Sequence, residues 1–500
     1  MRAFRFAERD RSQLLRAAYR HELATSTELS LEQQQAESKW QYEVQQAEAR
    51  LHHLQAQGAP DSVLTAAEQA VWRARNGRYQ FLQALEQENP RYYQLKYADD
   101  IPRLDELQDM LAAGQLLVEY FVGKKRLYVF TLARDSELKL LELPLPDRLE
   151  ERVMAWRRSI EAYQKRQVDR AALLATYRQE GYKLYQELLA PVLAEQSATS
   201  LLLIPSGVLD LLPFEALLQK VTNAQADLRQ YPYLLKQYPI SYGYSASLQY
   251  ILHQLPYAGR GFGGYIPTFD GRAGWQALSC SQQTLQDLPW PTSKVLYENH
   301  QANRQNFFDH AGQFSVLHLA THAQANAEQG DFSFIVFSDG EAAYDSLFAQ
   351  SLYHLNLPNE LVVLSACETA LGTLYQSEGV ISLARAFHYA GARSVLNTLW
   401  PVNEGANCRL MPSFYEALNR GTDKATALQS AKLTYLNKAD ERAAHPVYWA
   451  GYQLLGTPRP LAPRHRVWGW LALAAAIALV LGIWWYRHAK ATQPPKLQLT

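Results

Sequence analysis

The sequence has little cysteine and no excess charge of either sign. Only Cys280, Cys367 and Cys408 occur in 500 residues. Their spacing fits neither a zinc-finger pattern nor a paired framework. An odd, sparse set of this kind predicts a reducing compartment without disulfides. Lys and Arg together number 49, and so do Asp and Glu. With no basic field, nothing recommends a nucleic-acid partner. The opening residues Met1-Arg-Ala-Phe-Arg5 are charged and have no apolar core, so no signal peptide is predicted. Low-complexity tracts are missing, and so is any helical repeat of about 34 residues, which argues against disorder and against an extended solenoid.

Apolar side chains, by contrast, are plentiful at 48% of the chain. They support a sizeable core and two or three domains. Residues 1–98 read as helical. Trp40, Val44, Ala47, Leu51 and Leu54 step by four and three, Gly58-Ala-Pro60 interrupts, a second run covers residues 62–88, and Asn89-Pro90 ends it. An αα-hairpin preceded by a helix near residues 12–23 is the expectation. It is a packing layer that could also hold a protein partner. From residue 101 the texture changes. Residues 116–122 and 127–132 read as a hairpin around Gly123-Lys-Lys-Arg126, and a charged helical stretch follows over residues 147–193.

From Leu201 apolar runs and helical patterns alternate, as they do when a mostly parallel sheet is covered on both faces. Strands are predicted at 201–204, 316–322, 332–337, 361–366 and 394–399. Helices are predicted at 303–310, 379–390, 407–420 and 424–437, with Pro412 in a first turn or at a kink. Near the C-terminus, residues 467–486 carry no formal charge. Within this span Trp468 and Trp470 sit at one end and Trp484, Trp485 and Tyr486 at the other, with basic residues beyond, which is the pattern of a membrane-spanning helix. Arg and Lys balance across the two flanks and do not orient it. Without a leader, a tail anchor with the bulk of the chain in the cytoplasm is expected, followed by a short polar tail over 487–500.

Two runs carry the chemistry. Ser315-Val-Leu-His-Leu-Ala-Thr-His322-Ala323 ends on a histidine, and Leu361-Val-Val-Leu-Ser-Ala-Cys367 ends on a cysteine. In a parallel sheet, reactive groups gather at the carboxyl ends of the strands. A neutral imidazole beside a thiol can take its proton, and the thiolate is the nucleophile. If the two strands are neighbours, His322 and Cys367 form a dyad. The alternative for Cys367 is a buried structural thiol. His318 and His322 could both ligate zinc, but that motif requires a helix and a Glu after the first histidine, where Leu319 stands. No metal and no cofactor is therefore expected, and His318 is assigned a supporting role. Gly243-Tyr-Ser245-Ala-Ser247 approaches a nucleophile elbow but lacks its final glycine. The glycine cluster 259–264 lacks the helix that a phosphate loop needs.

From about Tyr177 to Gly456 the chain resembles the CHAT domain, a family of caspase- and separase-like cysteine peptidases. The blocks that carry the resemblance run in order. They are Leu203-Ile-Pro-Ser-Gly207 through Pro213-Phe-Glu-Ala-Leu217, Ile240 to Leu248, His318-Leu-Ala-Thr-His322-Ala323, Val362 to Thr369, Glu378 to Phe387, Ser394 to Pro401, and His445 to Gly451. The resemblance implies a caspase-like α/β/α sandwich over residues 101–457, with a core at 177–456. It makes Cys367 the nucleophile and His322 the base, with the backbone N–H groups of Ala323 and Cys367 as the oxyanion hole. The product of that reading is a cysteine endopeptidase acting on one partner protein. Where the family has glycine after the catalytic histidine, this chain has Ala323, which keeps the N–H and narrows the backbone's freedom. The family usually carries tetratricopeptide helices upstream, and residues 1–98 resemble a remnant of them. A silent peptidase fold that binds partners through those helices is the competing expectation.

Overall fold

Leucine and β-branched runs build one large sheet. The computed structural model describes residues 2–461 except 10, 57, 98–100, 166, 270–274, 327–328, 339–343, 354, 366–372 and 376–378. The strands, in chain order, are β1 (Gln115–Val122), β2 (Arg126–Ala133), β3 (Lys139–Pro144), β4 (Ser200–Ile204), β5 (Ile240–Tyr242), β6 (Phe262–Ile266), β7 (Lys294–Glu298), β8 (Val316–Leu319), β9 (Ala323–Gln324), β10 (Phe334–Ser338), β11 (Tyr344–Phe348), β12 (Leu361–Leu364), β13 (Thr373–Tyr375), β14 (Gly379–Ile381), β15 (Ser394–Thr398) and β16 (Tyr452–Gly456). Eleven of them hydrogen-bond in the order β3-β2-β1-β4-β5-β16-β15-β12-β8-β6-β7. Pairing is parallel from β1 to β5 and from β15 to β7. It is antiparallel in the β1–β2–β3 meander and between β15 and β16.

The alternation of side chains along each strand divides the core into two. Leu361 and Val363 point into a cluster with helices Leu149–Glu161, Arg170–Leu188, Glu404–Asn419 and Lys424–Lys438. Val362 and Leu364 point the other way, against helices Arg304–His310 and Leu383–Tyr389. Burial on both faces explains why these strands read as continuous apolar runs.

The N-terminal helices are α1 (Arg2–Arg9), α2 (Gln13–Glu28), α3 (Leu31–Ala56), α4 (Asp61–Glu88) and α5 (Pro90–Tyr97). Pro90 ends α4 and also opens α5, because its missing N–H costs nothing in a first turn. The first two helices pack onto the sheet layer. Glu8 accepts hydrogen bonds from the Ala246 and Ser247 N–H groups (3.1 and 2.7 Å), capping helix Ala246–Gln254. Arg11 pairs with the buried Glu119 at 3.1 Å, Tyr19 meets His388 Nδ1 at 3.0 Å, and Glu22 meets Arg393 at 2.7 Å.

Several expectations are corrected. Residues 332–337 were expected in the sheet, but β10 lies in a separate three-stranded sheet with β9 and β11, because β8 and β12 already occupy each other's edges. The helix expected from Gly379 starts at Leu383, after β14, with Ser382 as its cap. Of the two places expected for Pro412, the first turn is excluded, since it sits well inside helix Glu404–Asn419. Cysteine pairing is the largest correction. Cys280 and Cys408 form a disulfide with their Cα atoms 6.1 Å apart, across a sequence separation of 128. Spacing could not reveal it, since the fold alone brings helix Ser279–Asp287 against helix Glu404–Asn419. Among the described residues no helix is long and apolar enough to cross a membrane. The span predicted at 467–486 lies outside them.

Candidate functional site

Strands β8 and β12 are parallel neighbours with Leu361 opposite Val316 and Leu364 opposite Leu319. His322 lies three residues past the end of β8, and Cys367 lies three residues past the end of β12. The two strands therefore end at the same carboxyl edge and at the same level. Cys367 itself lies outside the described residues. The last described residue before it is Ser365, whose N–H donates to the Leu319 carbonyl at 3.2 Å.

The turn carrying His322 is held at each residue. Ala320 N–H donates to Tyr265 O (3.0 Å), Thr321 Oγ1 donates to Val336 O, and His322 O accepts from Val336 N (2.9 Å). Ala323 then enters β9 opposite Ile335. It is buried, with a negative φ that alanine adopts freely, so the missing glycine imposes no strain on the backbone here.

The ring of His322 is positioned by residues that the sequence did not flag. Nε2 lies 2.8 Å from the backbone carbonyl of Gln276. A carbonyl only accepts, so Nε2 carries the proton, and in the neutral ring Nδ1 is the lone-pair nitrogen. Trp275 stacks on the imidazole at 5.0 Å between centroids, and Phe269 meets it edge-on at 4.5 Å. No pattern could have marked Gln276, because any residue type supplies the same carbonyl.

His318, four residues earlier, is fully enclosed. Its Nε2 meets Ser365 Oγ at 2.5 Å and its Nδ1 meets the Tyr415 hydroxyl. Burial pushes its pKa down to about 3, so the ring is neutral at ordinary pH. It links β8, the residue that follows β12, and helix Glu404–Asn419.

Two other sequence motifs turn out to hold structure together. Ser245 caps helix Ala246–Gln254 by accepting from Leu248 N–H, and Ser247 bonds Glu8. Glu215, within Pro213-Phe-Glu-Ala-Leu217, accepts from buried Lys432 at 3.1 Å and from Tyr242 at 2.5 Å. Ser245 and Glu215 are both buried.

The model of the CHAT domain matches residues 178–457, more than half of the chain. The chain belongs to the CHAT domain family. Tetratricopeptide repeat protein 28 from Homo sapiens is 38% identical over 128 residues, covering 24% of this chain and 5% of that protein. Its Mus musculus counterpart is 38% identical over 112 residues, covering 22% and 4%. This CHAT chain thus corresponds to a small part of those relatives. Two crystal structures of the Saccharomyces cerevisiae separase–securin complex align at 12% identity. One has a TM-score of 0.45 and covers 80% of this chain and 34% of that one, and the other has 0.46 and covers 77% and 32%.

Proposed function

We propose that this CHAT chain is a caspase-like cysteine endopeptidase that cleaves a specific partner protein with a Cys367–His322 dyad. The observation supporting it most directly is the orientation of His322. Its Nε2–H is committed to Gln276, which leaves Nδ1 as the base, just past the end of β8, whose parallel neighbour β12 ends three residues before Cys367 in sequence. Nδ1 takes the Cys367 proton, and the thiolate attacks the scissile carbonyl. The Ala323 and Cys367 N–H groups hold the oxyanion, where one such donor contributes about 3 kcal/mol. The imidazolium protonates the leaving amine, and water, deprotonated by the same nitrogen, releases the acyl group from sulfur.

In this reading residues 467–486 form a tail anchor, so the chemistry takes place against a membrane with the bulk of the chain in the cytoplasm. Labelling of Cys367 by a cysteine-directed peptidyl probe, lost in His322→Ala, is the expected result. Equal labelling in that variant would remove the dyad. Protease added outside sealed cells should leave residues 1–460 intact, and their digestion would reverse the orientation.

A second reading, a silent scaffold, draws on the helical layer. Helix α4 exposes Trp72 and Tyr79, and the chain is similar to a tetratricopeptide repeat protein. A protein inert to the probe that still captures a partner through residues 1–98 would favour it.

A further inference from the structure

The segment that orients His322 is tied down by a covalent bond nearby. Gln276 lies four residues before Cys280, and Cys280 is bonded to Cys408. Between them Gln276, Ala277, Ser279 and Cys280 are exposed, and Leu278 is half-buried. Helix Ser279–Asp287 also has no side-chain cap of its own at Leu278. Its first N–H groups are instead satisfied from across the interface. Glu404 Oε1 accepts from Cys280 N at 2.9 Å and from Ser281 N at 3.3 Å, and Asn407 donates to Ser281 Oγ at 3.3 Å. All these partners lie on the helix that carries Cys408. Among the described residues the disulfide is the one cross-link between this segment and the helix it packs on, four residues from the Gln276 carbonyl.

We propose that the Cys280–Cys408 disulfide is a redox-sensitive latch that positions His322 through the Gln276 carbonyl, so that the site works best when the latch is oxidised. The inference rests on the dyad reading above. To open the latch, a dithiol gives up two electrons and two protons and closes into its own disulfide, while the Cys280–Cys408 S–S bond takes them up and breaks into two thiols. Access is open. Cys280 is exposed, and both cysteines line a groove of about 910 Å³ with Leu288, Pro289, Trp290 and Pro412. Once the bond opens, the first turn of the helix keeps two N–H···O contacts to one carboxylate oxygen and one side-chain bond, while the buried Leu285 holds the helix further along. A hydrogen bond tolerates only a few tenths of an ångström, whereas four residues of free chain can wander by about 10 Å. Cys280 and Cys408 are thus positioning residues and touch no substrate.

The test uses the full chain in detergent, purified without reductant, then compared with the same protein reduced by dithiothreitol and desalted, and with Cys280→Ser and Cys408→Ser. Denatured oxidised protein should expose one thiol, that of Cys367, and three after reduction. The readout is the iodoacetamide alkylation rate of the Cys367 peptide against pH. In the oxidised protein alkylation should persist down to about pH 6, because an imidazolium beside the sulfur stabilises the thiolate. Reduction or either substitution should lower that rate about tenfold near pH 6 and leave it within about twofold near pH 9, where any thiol ionises. Nitrogen NMR of His322, assigned through His322→Gln, should show the Nε2–H tautomer giving way to a mixture. Superimposable pH profiles would overturn the latch. Three free thiols in the unreduced protein would overturn it too. So would wholesale unfolding on reduction, which would make the bond a staple of the fold. If His322→Ala leaves the oxidised profile unchanged, the dyad reading fails, while the tautomer signal still reports on the latch.

Discussion

The interior of β8 and the rim just beyond it carry one histidine each, and the two are built in opposite ways. His318 is enclosed, both its nitrogens are engaged by hydroxyls from other elements, and its neutrality is enforced by burial. His322 is half-exposed, stands between aromatic faces, and has one nitrogen committed to a main-chain carbonyl. The first arrangement joins elements together. The second leaves a basic nitrogen oriented and available. The difference shows that a histidine four residues from another on the same run need not share its work, since what each ring touches decides its role.

The contrast can be broken most decisively by exchanging the consequences of the two histidines. His322→Ala should cut Cys367-dependent turnover by about 10²- to 10⁴-fold and leave the urea midpoint unchanged. Equal loss of stability would make His322 structural. His318→Ala should do the reverse in urea, costing about 3 kcal/mol by opening a cavity and stranding Ser365 and Tyr415. A fully stable variant would show that the enclosure is slack.

Acid sharpens the comparison next. His318, His388 and His445 each have a pKa lowered to about 3 by burial. The unfolded chain binds these protons near pH 6.5 and the folded chain does not, so their contribution is complete above about pH 6.5 and is lost as pH falls toward about 3. Stability should fall by up to about 1 kcal/mol per pH unit for each ring in that window, measured by calorimetry. His318→Asn should flatten the slope. The smallest effect is expected of Tyr415→Phe, which removes one buried partner of His318 at a cost of about 1 kcal/mol. An unchanged melting temperature would mean that Ser365 alone holds the ring.

Much of the sheet could be read in advance. Residues 201–204, 361–364 and 394–398 announce strands because burial on both faces demands unbroken apolar runs, and β8 and β12 proved to be neighbours. The ends of elements were less legible. β8 stops at Leu319, because Thr321 and His322 turn to bond Val336 on a different sheet. Glu8 reaching over to cap helix Ala246–Gln254 left no trace in local pattern, since a cap from a distant carboxylate has no fixed spacing. Pro412 was expected in a first turn or at a kink, and it lies in the interior of helix Glu404–Asn419.

Residue chemistry and periodicity are local properties. They were enough to name an imidazole and a thiol at the ends of two apolar runs, to imply a parallel sheet between helices, and to tell the CHAT blocks from chance. Which groups surround each ring is a matter of distant neighbours. The Gln276 carbonyl on His322, the hydroxyls around His318 and the bond between Cys280 and Cys408 come from segments roughly fifty to more than a hundred residues away, brought close only when the sheet and its covering helices pack.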